Sequence, residues 1–136
     1  MLKKPKVAIV SLSSCQGCQF AILDLGLEFI ELLNYLTIKK FRLLKEDDKN
    51  ENYDLIFVEG TPIREEEEKM LLKLRAKSKF LVALGNCASM GGIQKIKNYR
   101  NRKKVASYVY KYYKTIHNRE IKELGKIIKV DAVIPG

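Results

Sequence analysis

The 136-residue sequence lacks any run of about 18 uncharged apolar residues, so it predicts no membrane span. A short apolar stretch follows Met1–Lys6 and runs straight into a polar loop of Ser, Cys and Gly. No twin-arginine pair precedes that stretch, which therefore predicts a first strand and not a cleaved leader. We expect a cytoplasmic protein.

Cysteine and histidine are scarce, with three cysteines and one histidine in the chain. An odd number of cysteines argues against a disulfide framework and favours thiols that have a chemical role. We expect the solitary His117 on the surface of a helix. No histidine is then in reach of the cysteines to complete a zinc site.

Acidic residues are few between Ile93 and Glu123. This segment has ten Lys or Arg and only two acidic residues, so its net charge is +8. Three interpretations stay open: binding of single-stranded nucleic acid, docking of an acidic partner, or an amphipathic helix with a solvated basic side. No RNA- or DNA-binding motif accompanies the segment, so we do not expect a nucleic acid partner. The interleaved tyrosines are Tyr99, Tyr108, Tyr110, Tyr112 and Tyr113.

Hydrophobic residues make up 46% of the chain, enough for one domain with a real core. Short apolar runs bounded by turn residues predict strands at Lys6–Leu12, Thr37–Leu44, Tyr53–Val58, Lys79–Leu84 and Asp131–Ile134.

Between these runs, apolar residues at spacings of three and four predict a helix from Gln16 or Gly17 to about Tyr35. A second helix follows Pro62, with the acidic run Glu65–Glu68 solvated in its first turn. We expect a third over about Lys103–Ile127. Solvated and Gly-rich loops are expected at Glu46–Asn52 and Gly85–Gly92.

Strands that alternate with helices predict an α/β fold, a flavodoxin-like doubly wound parallel sheet in three layers. Ligands of such folds bind at the carboxyl ends of the strands. Four segments leave strands there: the Cys15/Cys18 loop, the Glu59 loop, the Cys87 loop and the stretch that ends at Gly136. Two interpretations of Glu59 stay open, a role in the site at this edge or a strand-end carboxylate that accepts local backbone N–H bonds, and we do not expect it to be catalytic.

The Cys15-Gln16-Gly17-Cys18 pair can bind two corners of an iron–sulfur cluster, ligate zinc, or act as a redox dithiol. Cys87 lies among small residues that let the backbone wrap closely round an inorganic core, although a lone cysteine can also be a buried apolar thiol. The candidate cofactor-binding glycines are Gly17, Gly85 and Gly91.

Five motifs lie in order along nearly the whole chain: Ser14–Gln19, Leu23–Leu25, Val58–Gly60, Ala83–Ala88 with Gly91–Ile93, and Ile134–Gly136. Together they resemble the small-subunit family of nickel–iron hydrogenases, most of all the cytoplasmic sulfhydrogenase delta and methyl-viologen-reducing types. The cluster-bearing subunit of NADH:ubiquinone oxidoreductase is less similar, because it has adjacent cysteines in place of Cys-x-x-Cys.

The resemblance implies a [4Fe-4S] cluster with Cys15, Cys18 and Cys87 as three of its ligands. The family's fourth ligand follows an Ile-Pro-Gly, and this sequence stops at Gly136, so we expect residues 1–136 to be a single flavodoxin-like domain cut before the last ligand loop and C-terminal helix. Phe20 stands where many family members have a glutamate.

The resemblance further implies an electron-transfer subunit of a hydrogenase-type oxidoreductase, with no catalytic residue of its own. Its partners would be a nickel–iron large subunit and further iron–sulfur or flavin subunits. Two alternatives stay open: a thiol–disulfide oxidoreductase that uses Cys15 and Cys18, and a cluster-free module that binds a partner through the basic segment.

Overall fold

The computed structural model describes residues 3–46, 51–116 and 118–136, and only the backbone of residues 45–46. Within these residues it forms one six-stranded sheet with helices on both faces. The strands are β1 Lys6–Ser11, β2 Thr37–Phe41, β3 Lys45–Glu46, β4 Tyr53–Glu59, β5 Ser78–Leu84 and β6 Ala132–Ile134.

The helices are short, and several connections are 3-10 turns. No helix in the described part of the chain has the length and apolar character that a membrane span requires. The α-helices are α1 Gly17–Leu23, α2 Leu27–Leu32, α3 Glu65–Ala76, α4 Gly85–Met90 and α5 Arg102–Val109, and the 3-10 helices are Ile93–Tyr99, Tyr113–Thr115 and Leu124–Lys126.

The strand order β3-β2-β1-β4-β5-β6 is that of a flavodoxin-like sheet, with β3 added as a two-residue antiparallel strand at one edge. All other neighbours pair in parallel. The central strands are continuous apolar runs, as is typical of parallel strands in a sheet with helices on both faces. The predicted fold class is confirmed.

One face of the sheet packs against α3, α4 and the 3-10 helix Leu124–Lys126 around Ile56, Leu71, Leu81 and Leu124. The other face packs against α1 and α2, where Phe29 meets Phe41 edge to face. On this second face, only the half of the sheet nearer to β2 is covered. Phe80 of β5 and Ile134 of β6 are 57% and 47% exposed there.

The helix predicted from Gln16 or Gly17 to about Tyr35 is broken into α1 and α2. The break falls between Asp24 and Gly26, and Gly26 has φ +58°, a backbone conformation that ends a right-handed helix. Apolar residues keep their helical spacing across the break, so the periodicity of the sequence alone did not reveal the interruption.

Three further predictions were wrong in part. The glycine-rich stretch Gly85–Gly92 contains α4, a one-and-a-half-turn helix, where we predicted a loop. Of the helix predicted over Lys103–Ile127, only α5 and two 3-10 turns form. The strand predicted to reach Leu44 ends at Phe41. The expected surface position of His117 lies outside the described residues.

Candidate functional site

Four parallel strands end level with one another at the carboxyl edge of the sheet. Ser11 of β1 pairs with Glu59 of β4, Glu59 with Leu84 of β5, and Leu84 with Ile134 of β6. All three cysteines follow strands of this row, with Cys15 in the loop after β1, Cys18 in the first turn of α1 and Cys87 in α4. They lie at one edge because parallel strands end on the same side of the sheet.

Three glycines lie against the three cysteine sulfurs. A Cβ added at Gly85 would overlap Cys18 Sγ, closer than any non-bonded contact allows. A Cβ at Gly92 would lie 2.6 Å from Cys87 Sγ, and one at Gly17 would lie 3.3 Å from Cys15 Sγ. The backbone therefore approaches each sulfur at a position where a side chain would take the space.

Gly85 and Gly92 also need glycine for their backbone conformation, since their φ angles are +81° and +58°. Gly91, a candidate from the sequence, has φ +92° at the end of α4, and an added Cβ there would meet the side chain of Lys95 and not a sulfur. Gly92 is therefore the glycine beside the sulfur of Cys87, and the role of Gly91 in cofactor binding stays a prediction.

The three thiols are free and lie close enough to influence one another. Burial raises the pKa of Cys18, and Glu59, Cys15 and Cys87 raise it further. Each of these neighbours disfavours the thiolate, because each adds negative charge near it. A cation at the site reverses this preference, since metal-bound cysteine is deprotonated.

Cys87 is half-buried and hydrogen-bonded, so it is not an inert apolar thiol. Its Sγ donates to Oε1 of Gln94 at 3.3 Å, and Nε2 of Gln94 donates to the carbonyl of Ser13 at 3.2 Å. Gln94 thereby joins the Cys87 loop to the loop after β1. Sequence reasoning missed Gln94, because a lone glutamine in a polar turn carries no distinguishing pattern.

A buried polar cluster lies beside Cys18, centred on Glu59, which is 1% exposed. Oε1 of Glu59 accepts hydrogen bonds from the hydroxyls of Ser11 and Ser14 and from Nε2 of Gln19, the last at 2.7 Å. These donors are side chains, and not the local backbone N–H groups of one of the two interpretations of Glu59, because the end of β4 lies beside β1 and α1.

Two oxygen atoms of this cluster are buried without a hydrogen-bond partner among the described residues, Oε2 of Glu59 and Oε1 of Gln19. Buried acceptors of this kind are costly, and in native proteins they mark sites of chemistry or of a missing partner. Gln19 itself is fully buried, and its signal in the sequence was only its position directly after Cys18.

Glu67 of α3 also contacts the loop that contains Cys15. Its carboxylate accepts from the hydroxyl of Ser13 at 2.8 Å and from the backbone N–H groups of Ile63 and Arg64. Burial alone would raise the pKa of Glu67, but these hydrogen bonds outweigh it and lower the pKa. Glu67 is thus buried and joins the start of α3 to the loop after β1. The prediction that the whole acidic run is solvated was wrong for this residue.

The last described residue lies next to the Cys87 helix. A Cβ added at Gly136 would lie 3.1 Å from the backbone N of Asn86 and 3.6 Å from Cα of Gly85. Strand β6 therefore brings Ile134–Gly136 to the same cluster of thiols and glycines.

The three cysteines are a donor set that fits an iron–sulfur cluster. Among the described residues, no three His, Cys, Asp or Glu side chains converge closely enough to hold one ion. Each of the three sulfurs has glycine backbone against it, and thiolates bind such a cluster at its separate corners. The roles of Cys15, Cys18 and Cys87 as ligands stay a prediction.

Comparison with protein-family models matches residues 15–136 to the family described as NADH ubiquinone oxidoreductase, 20 Kd subunit. Among curated proteins, the chain is similar to a subunit of the vhu F420-non-reducing hydrogenase of Methanocaldococcus jannaschii, with 32% identity over 96% of this chain and 50% of the relative.

A further relative, the iron-sulfur subunit of the F420-non-reducing hydrogenase of Archaeoglobus profundus, is 27% identical over 77% of this chain and 35% of its own length. The chain spans about half the length of the curated relatives it matches. Among solved structures, an NAD⁺-reducing [NiFe]-hydrogenase in the H2-reduced state superimposes with a TM-score of 0.84 and 22% identity, over 98% of this chain and 83% of that chain.

Proposed function

This chain belongs to the small-subunit family of nickel–iron hydrogenases, which shares a domain with the 20 Kd subunit of NADH ubiquinone oxidoreductase. We infer that it transfers electrons through a [4Fe-4S] cluster within a hydrogenase-type complex. The observation that carries this proposal is the set of glycines against the cysteine sulfurs, above all Gly85 at Cys18. When bound, the cluster supplies one-electron oxidation and reduction.

Each residue of the site has a distinct task in this proposal. Cys15, Cys18 and Cys87 bind the cluster as thiolates. Gly85 and Gly92 let the backbone lie close to the sulfurs of Cys18 and Cys87, and Gln94 orients Cys87 against the loop after β1. No residue of the chain is assigned acid–base chemistry, because electron transfer requires position, burial and hydrogen bonds to sulfur and no proton donor.

We propose that the fourth ligand comes from outside residues 1–136, directly after Gly136. Two observations support this: Gly136 lies beside Gly85 and Asn86 at the site, and the curated relatives are about twice as long as the chain. The half-covered sheet face at Phe80 and Ile134 supports a further helix that packs there and completes the domain.

We propose a nickel–iron large subunit as the partner at the cysteine edge, with iron–sulfur or flavin subunits as the next electron carriers, in the cytoplasm. The names of the relatives support a hydrogenase complex, and the description of one of them as an iron-sulfur subunit supports the cofactor.

The test is anaerobic reconstitution with iron and sulfide, on this chain and on a chain extended by its native downstream sequence. We expect about four irons per extended chain and an EPR signal on reduction. The variants Cys15→Ser, Cys18→Ser and Cys87→Ser should each lose most of that iron, whereas Ser107→Ala, on the exposed side of α5, should keep it. Absence of iron from both chains would contradict the proposal.

The redox-dithiol alternative has weaker support. A nucleophilic cysteine needs a lowered pKa, yet burial and Glu59 raise the pKa of Cys18. That alternative predicts a reversible Cys15–Cys18 disulfide and full activity after Cys87→Ser, so the cysteine variants also discriminate between the two functions.

A further inference from the structure

The segment from Ile93 to Lys114 turns apolar side chains toward solvent in an ordered pattern. Ile93, Ile96 and Tyr99 recur every three residues in a 3-10 helix, so they share one face, and Ile93 and Tyr99 are 76% and 77% exposed. Such a stripe normally packs against a core. Here it faces outward.

Helix α5 repeats the pattern with helical spacing. Val105, Tyr108 and Val109 lie at i, i+3 and i+4 on one face, and Tyr108 is 93% exposed. The one buried side chain described for this helix is Ala106. Between Arg100 and Tyr108 a groove of about 680 Å³ runs along the outer side of α5, with Val105 on its wall.

The segment is nevertheless anchored to the domain. The side-chain amide of Asn98 makes two hydrogen bonds with the backbone of Ile121, at 2.7 and 3.0 Å, and Ile121 is fully buried. Lys95 pairs with Glu123, and Asn118 donates to the carbonyl of Arg102. The exposed faces are thus presented from fixed positions, which lowers the entropy cost of binding.

Positive charge surrounds these apolar faces. Seven cations of the segment form no ion pair within the part of the chain that the structure describes, although other lysines of the protein do. A partner with carboxylates can pair with them, and steering by such charge raises association rates. The seven are Lys97, Arg100, Arg102, Lys103, Lys104, Lys111 and Lys114.

We propose that the segment Ile93–Lys114, here called the basic docking face, binds a small acidic electron-carrier protein. Aliphatic side chains such as Ile93, Ile96 and Val105 favour a protein over a nucleic acid, because they cannot stack on bases as the tyrosines can.

The choice of an electron carrier rests on the proposed function. The face begins at Ile93, directly after Gly92, and Gln94 within it bonds to Cys87. The start of the face is therefore joined directly to a proposed cluster ligand.

The probe is a purified two-cluster ferredoxin of net negative charge, titrated anaerobically against the extended chain at about 50 and about 300 mM NaCl. We expect binding at the lower salt concentration and a Kd at least about tenfold higher at the upper one. The double variant Lys103→Glu/Lys104→Glu should raise the Kd at least about tenfold, and Tyr108→Ser several-fold. Added glutamates suit the first turn of α5, so the helix should persist.

The matched control is Lys73→Glu/Lys129→Glu, which makes the same change of charge at exposed lysines outside the face. It should alter the Kd by less than about twofold. An equal loss in the control, no ferredoxin binding at low salt, or tighter binding of a 20-mer oligothymidylate through the same lysines would each overturn the proposal. Docking is measured with and without iron loading, so loss of the cluster and loss of docking are separate results.

Discussion

Glu59 has an unusual environment, because its carboxylate is buried beside the thiol of Cys18 with one oxygen unpaired among the described residues. Its negative charge is one of the causes that raise the pKa of Cys18. The charge therefore acts on the chemistry of the cysteines even before any metal binds.

Replacement of Glu59 by Gln should lower the pKa of Cys18, because it removes the charge while keeping an oxygen that accepts from Ser11 and Gln19. In a background of Cys15→Ser and Cys87→Ser, the pH profile of Cys18 alkylation by iodoacetamide should move to lower pH and the rate at pH 8 should rise a few-fold. Glu66→Gln, at an exposed glutamate, should leave the profile unchanged. An unchanged profile in Glu59→Gln would contradict this view of the site.

At the scale of the element, α3 is joined to the cysteine loop by one side chain. Glu67 accepts two backbone N–H groups at the start of α3 and the hydroxyl of Ser13 in the loop after β1. The same carboxylate therefore satisfies helix-end donors and fixes the approach to Cys15.

Glu67→Ala should lower the free energy of unfolding by about 1–3 kcal/mol, because it removes a cap and leaves buried donors unpaired. Urea denaturation measures this change. Glu66→Ala in the same turn is exposed and should change the stability by less than about 0.5 kcal/mol. Equal effects at the two positions would mean that Glu67 is only a solvated helix-start residue, as its sequence context had indicated.

The elements themselves were predicted with uneven success, for a physical reason. Strands β1, β4 and β5 are continuous apolar runs, and their positions were predicted within one residue at each end. The helix after β1 was predicted as one piece because apolar spacing continues through Gly26, where a positive φ breaks the hydrogen-bond ladder. The spacing of apolar residues does not indicate the backbone dihedral angles of a single residue.

At the scale of the whole molecule, ion pairs join parts of the chain that are distant in sequence. Arg75 pairs with Asp131, Lys79 with Asp54, and Lys95 with Glu123. Hydrogen bonds from Lys126, from its own backbone N–H and from Lys95 lower the pKa of Glu123 to about 2, against an ordinary 4.5. Arg75 and Lys79 lower the pKa of Asp131 and Asp54 in the same way.

Because these carboxyl groups have lower pKa values in the folded state than in the unfolded chain, their stabilisation is complete above about pH 4.5 and is lost as pH falls toward about 2. The urea midpoint should stay level from pH 7 to about 5 and then decline. Glu123→Gln should lower the midpoint at pH 7 and flatten the decline. If the urea midpoint of Glu123→Gln declined with falling pH as steeply as that of the parent chain, Glu123 would be excluded as a cause of the acid loss of stability.

The sequence singled out the three cysteines of the candidate site but little of their surroundings, and their role as ligands stays a prediction. Cys15, Cys18 and Cys87 stand in glycine-containing motifs, and the topology places these segments at one sheet edge. Gln19 stood out only by its place after Cys18, and Gln94 carries no signal in the sequence, since an ordinary polar residue becomes part of a site only through its neighbours in space.

The sequence by itself determined the parallel sheet, the cysteine set and the basic segment, because apolar runs, motif spacing and charge balance are local properties of the chain. Only the tertiary structure decided that Gly92 and not Gly91 lies against Cys87, that Glu59 is buried, and that the apolar residues around Tyr108 face solvent. Those outcomes depend on which residues from distant parts of the chain meet, and burial, pKa and close contact exist only after the strands have assembled.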